Sequence, residues 1–106
     1  MAVLVGFEND RAVLWHVFSH IVKLQLTLEL SGKRADEQDL YNFHESVVDA
    51  LRPSLKEGIR SIIVAAPTKT TYAKNFLDHI QRHHAYLTRS KGASIAVFAE
   101  LVGSAD

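Results

Sequence analysis

The alternation of hydrophobic and polar positions is clearest between residues 21 and 30. The apolar positions of this stretch are Val22, Leu24, Leu26, Leu28 and Leu30. Successive side chains of a strand point to opposite faces, so the pattern predicts a strand with one buried face and one solvated face. A helix would scatter the same leucines around its axis. We expect the leucines to face inward and this strand to lie beside a second buried strand, formed by residues 62–66.

Two shorter runs of β-type residues come before this stretch. Residues 2–7 and 11–17 are separated by Glu8-Asn9-Asp10, which is typical of a turn. Two such runs joined by a short Asn/Asp turn predict an antiparallel hairpin. The second run should place Val13, Trp15 and Val17 on one face, with Leu14 and His16 on the other.

A helix is predicted after the loop of residues 31–35. Asp36 is the expected N-cap, with acidic Glu37 and Asp39 in the first turn, where the helix dipole favours them. The apolar positions that recur at helical spacing are Leu40, Phe43, Val47, Leu51 and Leu55. Pro53 is expected to end or kink this helix near residues 51–52, and Gly58 suits its termination.

The remaining elements are a buried strand, a second helix and a last strand. Residues 62–66 form an uninterrupted apolar run, which favours a central strand. The turn of residues 67–71 follows, with Thr68 or Thr70 as the N-cap. The expected buried positions of the second helix are Tyr72, Phe76, Ile80 and Leu87, with Ala73, Leu77 and His84 beside them. Ser90-Lys91-Gly92 should end it, and residues 93–102 should form the last strand.

The predicted order β-β-β-α-β-α-β gives an α/β fold with a mixed five-stranded sheet and helices packed on it. A chain of 106 residues with 47% hydrophobic and 23% charged residues suits one globular domain over residues 1–106. The formal net charge is zero, so there is no overall basic excess that would indicate nucleic-acid binding. The absence of cysteine excludes disulfides and thiol catalysis.

The N-terminal residues do not form a basic start followed by a long apolar run, so no signal peptide is expected. No apolar run approaches the roughly 20 residues that a membrane helix needs. We therefore expect a cytoplasmic protein.

Several short stretches carry a resemblance to a known family. They are the hairpin of residues 3–7 and 12–15, the basic loop Ser31-Gly32-Lys33-Arg34, the helix of residues 39–48, the strand and turn of residues 63–70, and the strand of residues 97–104. Together they resemble the middle domain of archaeal and eukaryotic class-1 release factors and Pelota, which has a ribonuclease-H-like fold of the translational-machinery-component type. The resemblance implies a translation-related module that binds the ribosome, a tRNA or a partner protein.

The resemblance does not extend to the catalytic motif of the release factors. Those factors carry a Gly-Gly-Gln loop between the third strand and the first helix. Residues 31–38 here contain no Gly-Gly pair, and Gln38 is their only glutamine. Peptidyl-tRNA hydrolysis is therefore not expected, whereas a Pelota-like role remains open because Pelota also lacks that loop.

Candidate anion contacts lie in two regions. Thr68, Lys69 and Thr70 occupy the strand-to-helix turn, where free N–H groups and the helix dipole favour phosphate. They support an alternative function, a small phosphate- or nucleotide-binding protein or enzyme. The loop lacks the glycines of a P-loop, which favours Thr68 and Thr70 as helix caps only. The basic side chains Lys33, Arg34 and Arg82 are candidate contacts to RNA phosphates or to a partner, or solubilising charges.

No catalytic residue set, cofactor or metal site is expected. His79 and His83 are four residues apart and share a helix face, which two zinc ligands can use, but no third ligand is evident. A two-metal nuclease needs clustered carboxylates, and the strand of residues 62–66 contains none. If no helix follows the last strand, the outer face of the three-stranded antiparallel part would be exposed, which favours a homo-oligomer formed through that sheet.

Overall fold

The computed structural model describes residues 2–17, 20–87 and 97–102, and it has the predicted order of elements. These elements are β1 (Ala2–Phe7), β2 (Arg11–Val17), β3 (Val22–Glu29), α1 (Glu37–Lys56), β4 (Ser61–Ala66), α2 (Tyr72–His83), a 3-10 turn (Ala85–Leu87) and β5 (Val97–Val102). The fold class predicted from the sequence, an α/β domain with a mixed five-stranded sheet, is confirmed.

The strands form one sheet in the order β3-β2-β1-β4-β5. β1, β2 and β3 pair antiparallel, whereas β4 pairs parallel to both β1 and β5. The prediction that residues 62–66 form a central strand is confirmed. The expectation that β3 lies beside β4 is wrong, because β4 joins the free edge of β1 after the crossover through α1 and leaves β3 at the edge of the sheet.

Both helices pack on the same face of the sheet and enclose the core. The ring of Phe7, at the end of β1, lies 6.0 Å from that of Phe43 in α1 and 5.1 Å from that of Phe76 in α2. Val5 pairs with Val64 of β4, and both are fully buried. Burying a side chain of this size stabilises the fold by about 1.5–3 kcal/mol, so this face holds the two helices in place.

β3 does not present one continuous apolar face, because a bulge interrupts its register with β2. Leu14 pairs with Leu26 while Trp15 pairs with Leu24, so β3 has one extra residue between these two pairs. Leu26 therefore shares the helix-covered face of Leu14, whereas Val22 pairs with Val17 on the opposite face. Val22 is 63% exposed, so the prediction that it faces inward is wrong. Leu26 lies on the helix-covered face but is 42% exposed, whereas Leu28 and Leu30 pack against the core as predicted.

α1 begins as predicted and ends later than predicted. The carboxylate of Asp36 accepts a hydrogen bond from the N–H of Asp39 at 3.0 Å, which confirms the N-cap. The helix continues through Pro53 to Lys56, so the predicted end near residues 51–52 is wrong. Ser54 is buried, and its hydroxyl lies 2.9 Å from Nε2 of His16 in β2. Packing of this last turn on the sheet outweighs the backbone hydrogen bond that the proline removes.

α2 is shorter than predicted and starts differently. It ends at His83, and Leu87 lies in the 3-10 turn that follows. Ala73, Phe76 and Ile80 are buried as expected, while Tyr72 and Leu77 are half-buried. The predicted break at residues 90–92 and the predicted strand residues 93–96 lie outside the described residues. Within the parts of the chain that are described, no helix is long and apolar enough to cross a membrane.

Candidate functional site

A cluster of titratable side chains lies where α1 meets the C-terminal end of α2. Oε2 of Glu45 lies 2.6 Å from Nε2 of His79 and 2.5 Å from Nε2 of His84. The side chains of His79 and His84 are 6% and 8% exposed, while that of Glu45 is 31% exposed. One carboxylate oxygen is therefore the common hydrogen-bond partner of two buried imidazoles.

Helix geometry explains how the two histidines reach Glu45. His79 follows Phe76 by three residues and therefore lies on the buried side of α2. His84 is the C-cap of α2, and its N–H donates to the carbonyl of Ile80 at 2.8 Å. This bond fixes the backbone at the helix end, and the imidazole of His84 turns inward toward α1.

The protonation pattern follows from burial and from the hydrogen bonds. Burial lowers the pKa of His79, and the hydrogen bond to Glu45 opposes that effect only in part. For Glu45, burial acts to raise the pKa, but the hydrogen bonds with His84 and His79 outweigh it and lower the pKa. The carboxylate is therefore charged near neutral pH, and His79 in its neutral form donates from Nε2.

Tyr86 supports the orientation of His84. Its hydroxyl lies 3.2 Å from Nδ1 of His84, on the side of the ring opposite Glu45. A hydroxyl can donate to Nδ1 or accept from it, so Tyr86 is compatible with either tautomer of His84. The ring is therefore held at both nitrogens.

Two further histidines adjoin the cluster. His44 is buried, its ring lies 5.1 Å from that of His79, and its Nε2 has no hydrogen-bond partner among the described residues. Burial, and then the nearby charges of His79 and Arg34, lower the pKa of His44 to about 4. His83 is exposed, and its ring lies 4.9 Å from that of His79. The rings of His79 and His83 are close together, as their spacing predicts. The polar atoms that converge with Nε2 of His79, however, belong to Glu45 and His84.

An open groove of about 460 Å³ runs between the two helices beside this cluster. Its lining residues are Glu37, Leu40, Tyr41, His44, Asn75, Asp78, His79, Arg82 and His83. Arg82, a candidate anion contact, is thus accompanied by the acidic side chains of Glu37 and Asp78. The groove is of mixed charge and does not form a basic channel.

The ligand atoms of Glu45, His79 and His84 all lie within 4.8 Å of one another. Imidazole nitrogen and carboxylate oxygen are donors that zinc and related cations accept. The arrangement can therefore act as a hydrogen-bonded link between α1 and α2 or as a set of three metal ligands.

The two basic residues of the β3–α1 loop have different surroundings. Nε of Arg34 donates to the carbonyl of Asn9 at 3.0 Å, and Nη2 donates to the carbonyl of Glu8 at 3.2 Å. Its guanidinium also lies 4.1 Å from the ring centre of Tyr72. Lys33 is exposed. Arg34 thus stabilises the loop, and Lys33 is the residue of this pair with a side chain in solvent.

Some polar groups in the turn of residues 67–71 form hydrogen bonds within the turn itself. Oγ1 of Thr70 donates to the carbonyl of Pro67 at 2.6 Å, and Lys69 has a φ of 70°. The N-cap of α2 is Thr71, for which the described structure shows no side-chain capping bond. The prediction of Thr68 or Thr70 as N-cap is wrong, because the turn closes one residue later than the pattern indicated.

Lys33 and Lys69 lie at one edge of the sheet, which we call the C-terminal edge. β1, β3 and β4 all run in the same direction and end there, as their pairings require. The loop after β3 carries Lys33, and the turn after β4 carries Thr68 and Lys69, all exposed. Arg82 lies near the other end of α2, so the predicted basic residues do not form a single patch.

No family model matches this chain, and no curated relative matches it. Solved structures do match. One is Dom34 of S. cerevisiae, a translation termination-like factor involved in RNA quality control pathways and interacting with Hbs1. The match has a TM-score of 0.66 and 21% identity, and it covers 96% of this chain and 29% of Dom34.

Two archaeal structures match as well. Ribosome-bound Pelota, from a model with ABCE1, has a TM-score of 0.68 and 12% identity over 94% of this chain and 27% of that one. The translation termination factor aRF1 has a TM-score of 0.57 and 17% identity over 96% of this chain and 30% of that one. The chain thus spans less than a third of each of these proteins and has the fold of one of their domains, which confirms the resemblance in fold.

Proposed function

We propose that this domain is a non-catalytic binding module of the translation machinery that contacts the ribosome through the C-terminal edge of its sheet. One observation carries the proposal: the fold matches over 94% of the chain to a domain of a ribosome-bound Pelota and over 96% to one of Dom34. A module with this role would act in the cytoplasm, where ribosomes are found.

The β3–α1 connection supports a non-catalytic role. Gly32 has a φ of 98°, and a Cβ at this position would lie 2.1 Å from Oδ2 of Asp39. The same carboxylate oxygen accepts the N–H of Lys33 at 2.9 Å, so the loop is folded tightly onto the start of α1. Gln38 lies within α1, where its amide donates to the side chain of Asn42 at 3.1 Å. This glutamine is therefore a helix-surface residue and does not project from a flexible glycine loop.

The exposed basic side chains that could contact RNA phosphates lie at the C-terminal edge. Lys33 and Lys69 are exposed, whereas the guanidinium of Arg34 donates hydrogen bonds to two backbone carbonyls. Two lysines on neighbouring loops can each neutralise a phosphate and release counterions, which gives a salt-dependent contribution to RNA binding. This proposal is preferred to a phosphate- or nucleotide-binding role for residues 67–71, because the hydroxyl of Thr70 already donates a hydrogen bond to the carbonyl of Pro67.

The test is co-sedimentation of the chain with purified archaeal and yeast ribosomes at low and moderate salt. The Lys33→Glu/Lys69→Glu double variant should lose most of the binding, because two attractions to phosphate become repulsions. Lys23→Glu is the matched control, since Lys23 is exposed at the start of β3 and therefore at the opposite edge. Absence of ribosome binding at either salt concentration, or equal loss in the control, contradicts the proposal. Binding to free tRNA or to a protein alone would identify a different partner.

Self-association through β3 is a second part of the proposal. β3 is an edge strand, and three large hydrophobic side chains on or beside it are strongly exposed, namely Ile21, Val22 and Leu26. An edge strand carries unpaired N–H and C=O groups that a second strand can satisfy. A second copy of the chain, presenting its own β3, is the occupant that we propose.

A further inference from the structure

We propose that Glu45, His79 and His84 form a binding site for a divalent transition-metal cation, for which zinc is the probe. Their three ligand atoms lie within 4.8 Å of one another. The residues come from two helices and the residue that follows α2. This site lies apart from the C-terminal edge proposed for ribosome contact, so the two proposals can fail independently.

The two imidazoles point at one position in space. Nε2 of His79 and Nε2 of His84 lie 2.6 Å and 2.5 Å from the same atom, Oε2 of Glu45. Zinc binds imidazole nitrogen at about 2.0–2.1 Å, so a cation near that position requires only a small approach of each ring. Glu45 is partly exposed, and its flexible side chain can withdraw to bind the cation through its carboxylate.

The histidines are fixed before any cation binds. His79 is on the face of α2 that includes Phe76 and Ile80, both of which are buried. His84 is held by the hydrogen bond of its N–H to Ile80 and by the contact of its Nδ1 with the Tyr86 hydroxyl, at 3.2 Å. A partner on the far nitrogen of a metal-binding histidine fixes the ring orientation, as Tyr86 can do here when Nδ1 carries the proton.

The donor set favours late first-row cations over magnesium or calcium. Two imidazole nitrogens and one carboxylate suit zinc, copper or nickel, whereas magnesium and calcium prefer oxygen ligands alone. Three protein donors leave one position of a tetrahedral zinc to water or to a fourth side chain. The ring of His44 lies beside the site, with 5.1 Å between its centre and that of His79, and its buried Nε2 has no hydrogen-bond partner in the part of the chain that the structure describes.

The competing account is that Glu45 is only a hydrogen-bond acceptor linking the two helices. Glu45→Gln separates the two accounts, because an amide oxygen still accepts from imidazole N–H groups but is a poor ligand for zinc. His84→Gln removes one ligand at the end of α2 and leaves the core residues unchanged. Circular dichroism in the presence of a chelator establishes that each variant is folded before metal is added.

The experiment uses the tag-free 106-residue chain, stripped of metal and titrated with zinc against a chromophoric chelator. We expect one zinc per chain with a dissociation constant of about 1 μM or lower, a rise in melting temperature on zinc addition, and visible d–d bands of tetrahedral cobalt(II). Glu45→Gln and His84→Gln should each weaken zinc binding at least about tenfold.

Two single-histidine controls complete the test. His83→Ala and His20→Ala each remove one exposed imidazole and should leave the stoichiometry and the affinity unchanged. No zinc binding by the wild-type chain, or unchanged binding in both ligand variants, overturns the proposal. Loss of binding in His83→Ala with retention in His84→Gln also overturns it, since the ligands would then be the adjacent pair His79 and His83.

Discussion

The guanidinium of Arg34 lies over the ring of Tyr72, with 4.1 Å between its central carbon and the ring centre. The same guanidinium lies 5.8 Å from the ring centre of Phe43. Together with its bonds to the carbonyls of Glu8 and Asn9, these contacts connect the β3–α1 loop to the β1–β2 turn and to both helices. Arg34 is therefore a structural residue of the C-terminal edge.

We expect Arg34→Ala to lower the free energy of unfolding by about 2 kcal/mol, because two charge-assisted hydrogen bonds and a cation–π contact are lost. Lys33→Ala, at the neighbouring exposed position, should change it by less than about 0.5 kcal/mol. Urea unfolding of both variants measures the difference. Equal effects of the two substitutions would show that Arg34 does not stabilise the loop.

Pro53 should lower the stability of α1. It lies inside a helix that continues to Lys56, it is exposed, and it cannot donate a backbone hydrogen bond. Pro53→Ala should raise the free energy of unfolding by about 1 kcal/mol, since the restored helix propensity exceeds the added freedom of the unfolded chain. Thermal unfolding checks this, with Ser46→Ala on the exposed side of α1 as the control. A lower melting temperature in Pro53→Ala would contradict it.

His44 should make the metal-free fold sensitive to acid. Its pKa is about 4 in the folded state against 6.5 normally, so the unfolded chain takes up the proton first as pH falls. The stability that neutral His44 provides is complete above about pH 6.5 and is lost toward about pH 4. Since one pKa unit corresponds to about 1.4 kcal/mol, the loss between about pH 7 and about pH 4.5 should be about 2–3 kcal/mol.

His44→Phe provides the comparison for this pH dependence. The His44 ring lies against the rings of Phe7, Phe43 and Phe76, so phenylalanine fits the chemistry of the site. Urea unfolding at both pH values, with a chelator present, should show a smaller loss in the variant. His79, Arg34 and Glu45 face His44 and titrate or carry charge in both proteins, so their contributions largely cancel. Identical losses in the two proteins would refute the assignment to His44.

Self-association should depend on the exposed apolar side chains of β3. Val22→Lys places a charge on the edge strand, and the charge would have to be buried against a second copy. Sedimentation velocity at increasing concentration should show a dimer for the wild-type chain and a monomer for this variant. Gln81→Lys, at an exposed position of α2, is the control for charge alone. A wild-type chain that stays monomeric at high concentration would rule out the interface.

The sequence was sufficient to predict the order of elements and the start of α1, because those features depend on local patterns. Alternation identifies a strand, and an aspartate followed by acidic residues identifies a helix N-terminus. Asp36 and the strand of residues 62–66 are examples that the structure confirms.

The features that the sequence did not predict depend on contacts between distant residues. The alternating pattern of β3 is the same with or without a bulge, so the reversal of faces at Val22 is not visible in it. Pro53 is retained in α1 by the packing of Ser54 against His16, which is 38 residues away. The pair His79 and His83 is a local signal, whereas the contact of Glu45 with His84 spans 39 positions and has no local signature.

The parallel pairing of β1 with β4 has a consequence for synthesis of the chain. Ala2 pairs with Ser61, so after β1 is made nearly sixty further residues must follow before its second neighbour exists. Until then the nascent three-stranded meander exposes β1 along the side that later becomes the middle of the sheet. Pairings between such distant segments form slowly. Before residue 66 emerges, the unpaired side of β1 can therefore pair with another chain, which favours aggregation.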